Sequence, residues 1–327
     1  MSMNWNRSPA LIVAFLLVTA TLCTCSVQPS EKEADVITVR VVATQNFGQE
    51  LMFDETLEVL PGTSAMSALM KVAEVETAYG GGFVNAINGV RSGFTEGQSM
   101  KTDWFIYVNG IRSNTGALDY KLRDGDTQHW DFHNWSFHHF IPAIMGDFPE
   151  PFRHGYGGKT SPTIIAHVDS LKEDTENLER RLTRLGVSNV SIKRTSELSE
   201  NEKKSSNLIL LGTMDNVFMS ELNQNWKRLG FFTHFENGNL VVLDAKGEVV
   251  AKYNSGVGFI QATQNPWNPN GIGACENVVW MVSGTDEAGV KDALDALVNR
   301  HIELQYACAA IVANGEIIKV PNVKSKI

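Results

Sequence analysis

The chain has 327 residues, 28 Lys and Arg against 37 Asp and Glu, a net charge of −9, and 43% hydrophobic side chains. That length and apolar content predict two folded domains. The acidic balance excludes the basic face that nucleic acid requires and disfavours peripheral binding to anionic lipid.

Residues 1–24 read as a signal peptide. One positive charge, Arg7, precedes an apolar run from Ala10 to Leu22. The run is about a dozen residues, too short to cross ~30 Å of hydrocarbon but of h-region length. Leu22-Cys23-Thr24-Cys25 is similar to a bacterial lipobox, with Leu at −3 and Cys25 as the acylated first mature residue. The expectation is an exported protein held at the cell membrane or cell surface by a lipid on Cys25, with residues 25–35 as a polar tether. Cleavage before Cys25 removes Arg7 and no acidic side chain, so the charge moves from −9 by one unit to −10. Two cysteines lie beyond this site, Cys275 and Cys308. In an oxidising compartment an even pair suggests a disulfide; as a buried free pair the two would be inert.

Residues 36–139 open with the strand "VITVRVVAT", whose apolar residues alternate, and a second strand, "ETLEVL", ends at Pro61-Gly62. Thr63 or Ser64 then caps a helix expected to run to about Glu76, because Met66, Leu69, Met70 and Ala73 fall at three- and four-residue spacing on one face. The Gly80-Gly81-Gly82 run permits a sharp turn. Strands follow at "FVNAING", "DWFIYVNG" and "TQHWDFHNW", with Asn88-Gly89 and Asn109-Gly110 as hairpin signals. Two strands, one helix and further short strands is the order of a β-grasp-like domain, one helix on a mixed sheet.

The stretches "VLPGTSAMSALMKV", "FVNAINGV", "KTDWFIYVNG" and "GALDYKLRDGD" resemble, in order, the transcobalamin-like C-terminal domain (domain of unknown function 4430), which is also the small β domain of the vertebrate cobalamin carriers. The resemblance implies a β-grasp fold and a corrinoid (cobalamin-like) ligand against one face. In those carriers a helical barrel supplies the other face, and this chain has no room for one. Where they have a Trp-Gly pair, this chain has Gly80-Gly81, with Tyr79 one place away. The ligand-facing set expected here is Tyr79, Gly80, Gly81, Gly82 and Phe83, with the turns at Asn88 and Asn109. Trp104 matches a motif tryptophan, and its ring serves either the ligand or the core between sheet and helix. No resident cofactor is expected; a corrinoid would enter as ligand.

"HWDFHNWSFHHF" holds four histidines. Strand period places His129, Asp131 and His133 on one face and Trp130 and Phe132 on the other, the pattern of a closing strand with polar groups toward water or an interdomain contact. No Cys or second carboxylate completes a tetrahedral set at recognisable spacing, so no metal site is expected.

Residues 140–162, with four prolines and clustered glycines, read as a linker. Residues 163–327 then alternate strands ("TIIAHV", "NVSIK", "NLILLG", "NVVWMVSG") with amphipathic helices, and include a meander with turns at Asn237-Gly238 and Lys246-Gly247. This predicts an α/β domain with a mostly parallel sheet, with a looser similarity to α/β domains of surface-layer proteins. Overall the fold class is α+β. The loops "GTMDN" and "GTDEAG" follow strands expected to lie side by side, but neither is a GxGxxG or Walker motif. Asp215, Asp286 and Glu287 read as helix caps. Trp267, between prolines, is either exposed for contact or an anchor for its loop.

No GxSxG, HExxH or paired acid–base spacing is present, so the chain is not read as an enzyme. The expectation is an exported, lipid-anchored ligand-binding protein capturing a corrinoid, with a small molecule or an envelope protein as partner. The alternative is a cell-envelope or surface-layer-associated structural or adhesion protein.

Overall fold

The computed structural model describes residues 35–93 and 100–321; the expected signal peptide, Cys25 and nearly all of the expected tether lie outside them. Two main sheets, each with its own satellite hairpins or helices, make up one compact unit from Asp35 onward.

The first half runs β1 (Ile37–Gln45), β2 (Glu50–Val59), α1 (Ala65–Val72), β3 (Val75–Ala78), β4 (Phe83–Ile87), β5 (Val90–Arg91), β6 (Thr102–Val108), β7 (Ile111–Arg112) and β8 (Thr127–Asn134). Its five-stranded sheet has the order β2-β1-β8-β6-β7, with β1 parallel to β8 and the other neighbours antiparallel. Strands β3, β4 and β5 form a separate antiparallel sheet.

Ser64 caps α1, its hydroxyl accepting from Ser67 N at 3.1 Å. The helix is shorter than its spacing suggests. It stops at Val72 because β3 begins at Val75 and pairs with β4. Its buried stripe is Ala65, Met66, Ala68 and Leu69, while Met70 turns to solvent. Those side chains meet Val39, Val41, Ala43, Trp104, Val108 and Trp130, the alternate residues of β1, β6 and β8. Each large side chain buried there contributes about 2 kcal/mol.

The opposite face of this sheet carries Thr44, Tyr107, His129, Asp131 and His133, and it is not in water. His129, Asp131 and His133 are 1%, 4% and 3% exposed. The strand period was legible, but the second half of the chain covers the polar face. Burial is offset by complete pairing: Asp131 accepts from Thr44 Oγ1 at 2.6 Å, His133 Nδ1 at 2.7 Å and the backbone N–H groups of Phe47 and Gly48, both at 3.0 Å. Desolvation raises the Asp131 carboxyl, but the His133 bond and its other partners outweigh it and hold it below the usual carboxylate value. His133 itself lies between the rings of Phe47 and Phe105, with centroids 4.5 and 4.2 Å away.

The second half contains β9 (Thr163–His167), α2 (Lys172–Arg184), β10 (Val190–Arg194), α3 (Glu200–Ser205), β11 (Asn207–Leu211), α4 (Val217–Gln224), β12 (Thr233–Glu236), β13 (Asn239–Leu243), β14 (Val249–Tyr253), β15 (Val257–Gln264), β16 (Val278–Gly284), α5 (Glu287–Asn299), β17 (Ala309–Ala313) and β18 (Glu316–Val320). The main sheet has the order β10-β9-β11-β16-β15-β17-β18. It is parallel from β10 to β16 and antiparallel from β16 to β18, an evenly mixed sheet. Alternation sends Ile165, Ile209, Leu211, Trp280 and Val282 to the face covered by α2 and α5. Ile164, Leu208, Leu210, Val279 and Met281 go to the other face, where α4, the β12–β14 meander and the first sheet meet. Asp286 caps α5, accepting from Gly289 N at 2.8 Å. The helix start lies so close to β15 that a Cβ on Gly258 would sit 2.0 Å from Gly289 O.

The segment 140–162 joins the two sheets as a packed wedge, with Ile141 to Met145 all buried. Ala143 bridges to Ile111 at the edge of the first sheet, and Ile144 N donates to Gly110 O at 2.9 Å. On the other side Tyr306 N donates to Gly146 O at 2.9 Å.

Cys275 and Cys308 are both buried free thiols, not a disulfide. The even count suggested a bond, but the two belong to cores on opposite faces of the seven-stranded sheet. Cys275 Sγ donates to Arg112 O at 3.2 Å.

Candidate functional site

The sequence-derived ligand face gathers only in part. At Ala78 the chain leaves β3 and enters a short 3₁₀ turn, Tyr79–Gly81, in which three successive residues take positive φ: 51° at Tyr79, 70° at Gly80 and 94° at Gly81. Glycine adopts this freely, whereas a side chain there costs about 1 kcal/mol or more. The turn leaves the Tyr79 ring 77% exposed, braced edge-on by Phe83 at 6.1 Å.

Beside the turn lies an open cleft of about 200 Å³. Gly82, Phe83 and Val84 form one wall, Trp104, Ile106 and Trp130 the floor, and Arg112 to Ala117 the other wall. Trp104 is 6% exposed and donates from Nε1 to Val90 O at 2.9 Å, so it is a core residue whose edge reaches the cleft. Gly82 has ordinary negative φ, and a Cβ there would meet nothing nearer than Tyr79 O at 3.8 Å.

The two turn asparagines do not join this cleft. Asn109, at φ 51°, is fully buried: its Nδ2 donates to Asp126 Oδ1 and Gly155 O, both at 2.8 Å, and its Oδ1 accepts from Thr127 N at 2.8 Å. With every polar atom engaged, it ties the hairpin to the wedge and has nothing left for a ligand. Asn88 is exposed at the β4–β5 turn and is used locally, accepting from Glu74 N at 2.9 Å.

Arg112 was not singled out in the sequence. It sits on a two-residue edge strand, and only its pairing opposite Tyr107 next to a hairpin turn hinted at placement. Its guanidinium lies 4.2 Å over the Phe105 ring, on the Tyr107 and His133 face of the sheet and so opposite Trp104 and Trp130, while the residue itself contributes to the cleft wall. Burial lowers its pKa from the ordinary arginine value, and among the described residues no carboxylate pairs with it. The Tyr107 side chain beside the guanidinium offsets part of that burial. The rim of the cleft is shared with the second half, where Asn114 Nδ2 donates to Gly273 O at 3.0 Å.

Among the described residues no group of three or more His, Cys, Asp and Glu is arranged to hold a metal ion. Trp267 anchors its loop, its Nε1 donating to Glu221 Oε1 at 2.7 Å.

Residues 62–134 match the family described as Domain of unknown function (DUF4430), so α1 and strands β3 to β8 carry this transcobalamin-like domain. No curated protein matches the chain. Among solved structures, haptocorrin in complex with Cbi aligns at a TM-score of 0.24 and 17% identity, over 30% of this chain and 25% of its own. A Ruminococcus gnavus protein described as metal-binding aligns at a TM-score of 0.22 and 19% identity, over 30% of this chain and 95% of its own. The chain therefore spans a quarter of the haptocorrin chain it matches.

Proposed function

We propose that this is an exported ligand-binding protein, anchored through a lipid on Cys25, whose first sheet grips one edge of a flat ligand of the corrinoid class. The observation that carries the reading is the aromatic cleft at Phe83, Trp104 and Trp130, inside the residues that match DUF4430. At about 200 Å³ the cleft is too small to enclose a corrin ring. It can take an amide side arm or a ring edge, with Tyr79 stacking above. Half-enclosure limits affinity, and a dissociation constant in the micromolar range, about −8 kcal/mol, is expected.

The test is titration of the mature full-length chain with cobalamin and dicyanocobinamide, followed by calorimetry and visible absorbance. Saturable heat with a spectral shift, weakened by Tyr79→Ala, supports the reading. No heat and no spectral change at high micromolar ligand removes corrinoid capture and leaves the envelope-protein reading in its place.

A further inference from the structure

The geometry points to a second small-molecule site, at the carboxyl ends of β9, β10 and β11, that takes a neutral polyhydroxylated ligand. It is independent of the first cleft and belongs to the other sheet.

Topology opens the site. From β9 the chain turns into α2, whose Leu178 and Leu182 pack on one face of the sheet. From the neighbouring parallel strand β11 it turns into α4, whose Met219 and Leu222 pack on the other face. Adjacent parallel strands whose exits part to opposite faces leave a crevice beyond their carboxyl ends, and ligands of open α/β sheets bind there. The crevice here has a volume of about 600 Å³, within the range of roughly 300–1,000 Å³ usual for small-molecule sites.

Its lining selects the chemistry. His167, the last residue of β9, is 5% exposed and borders the crevice. Its Nδ1 lies 2.8 Å from Val168 O. A carbonyl only accepts, so Nδ1 carries the proton, and in the neutral ring Nε2 is left as a bare acceptor. Among the described residues nothing donates to it. That atom is not sealed from solvent, so it is open to accept from a ligand hydroxyl in the crevice that His167 lines. Asp215 and Asp169 add further acceptors, the latter paired with Arg194 at 2.7 Å at the mouth. Two carboxylates against one guanidinium disfavour a phosphate. Phe218 and Leu198 supply an apolar wall. Acceptors for hydroxyls on one side and an aromatic and an aliphatic surface on the other suit a pyranose or furanose ring, with its hydroxyl rim and C–H face. A free saccharide and a ribonucleoside share this chemistry.

The full chain is tested by NMR, following the ring Cε1–H signal of His167 assigned with His167→Gln, against glucose, galactose, N-acetylglucosamine, maltose and adenosine. The expected result is a saturable shift with at least one probe, weakened at least about tenfold by Asp215→Asn and by Phe218→Ala, and unchanged by Tyr79→Ala. Asp215 is exposed, so its variant tests the site without endangering the fold. A shift with sugars alone assigns a saccharide, and one with adenosine alone a nucleoside; either supports the site. No shift with any probe at about 10 mM, a level that would reveal even millimolar binding, overturns it. A shift that persists undiminished in both variants overturns it as well.

Discussion

His129 Nδ1 lies 2.9 Å from Asp147 Oδ1, and this buried pair ties the central strand of the first sheet to the wedge that joins the two sheets. His129 Nε2 is held in turn by Thr44 Oγ1 at 2.8 Å. Removing one partner of such a pair strands the other in a low dielectric. Asp147→Ala is expected to destabilise the protein by about 3 kcal/mol or more. Urea denaturation measures this, and a loss below about 1 kcal/mol would show the pair to be dispensable.

The two sheets share the core that contains Phe47, Tyr107, Ile144, Leu210 and Met281. Fluorescence and far-ultraviolet dichroism are therefore expected to report one coincident unfolding transition. Two separated transitions, one retained in a chain cut at residue 139, would refute the shared core.

Stability is expected to fall on acidification below about pH 6.5. Burial lowers the pKa of His133, His138, His234 and His301 below the ordinary 6.5. The unfolded imidazoles then bind protons that the folded ones refuse. Their contribution is complete above 6.5 and is lost as the pH falls from there through the folded values. His154 works in the opposite direction: the Glu150 hydrogen bond raises its pKa, so its contribution is present at low pH and lost as pH rises through the raised value. Four groups outweigh one. Each proton taken up on unfolding is worth about 1.4 kcal/mol per pH unit. Melts from pH 7.5 to 5.5 check the slope, which His138→Asn should reduce; stability that rises on acidification would contradict the assignment.

Both thiols are expected to resist alkylation in the native state and to react on unfolding. Burial pushes the Cys275 thiol up to about 11 and raises that of Cys308 as well, leaving almost no thiolate at neutral pH. Peptide mapping after alkylation in denaturant, without reductant, should find Cys275 and Cys308 both labelled. An intact Cys275–Cys308 crosslinked peptide would reverse the finding.

Substitutions around the first cleft should separate stability from binding. Tyr79→Ala removes an exposed ring and should leave the melting temperature nearly unchanged while weakening the ligand by about 1 to 2 kcal/mol, roughly five- to thirty-fold. Trp104→Ala should cost about 3 kcal/mol or more of stability. Gly82→Ala has room to fold, so any effect it has should appear in affinity. Equal stability losses at Tyr79 and Trp104 would refute the division.

Much of this arrangement was legible because local chemistry and global fold agree. The alternation of β1 and β8, the Ser64 and Asp286 caps, and the positive φ at Asn88 and Asn109 all follow from residue type and spacing. The adjacency of the strands before "GTMDN" and "GTDEAG" was also readable, and β11 does pair with β16. What spacing does not encode is the identity of a polar face's neighbour. Thr44, His129, Asp131 and His133 alternate as water-facing residues would, yet they satisfy one another under a second sheet. Asn-Gly at 109–110 signals a turn equally well whether the asparagine faces a ligand or, as here, locks a buried junction. Arg112 went unmarked because two residues of edge strand carry no periodicity.

The wedge sets the unit in which this protein can be handed on. Residues 36–139 look portable on paper, but excising them would bare Phe47, Tyr107 and the His129 face, all sealed by residues 141–147 and 306–308. A recipient scaffold would need to bring its own apolar lid. Graft experiments, deletion libraries and crystallisation fragments should accordingly keep both sheets in one polypeptide.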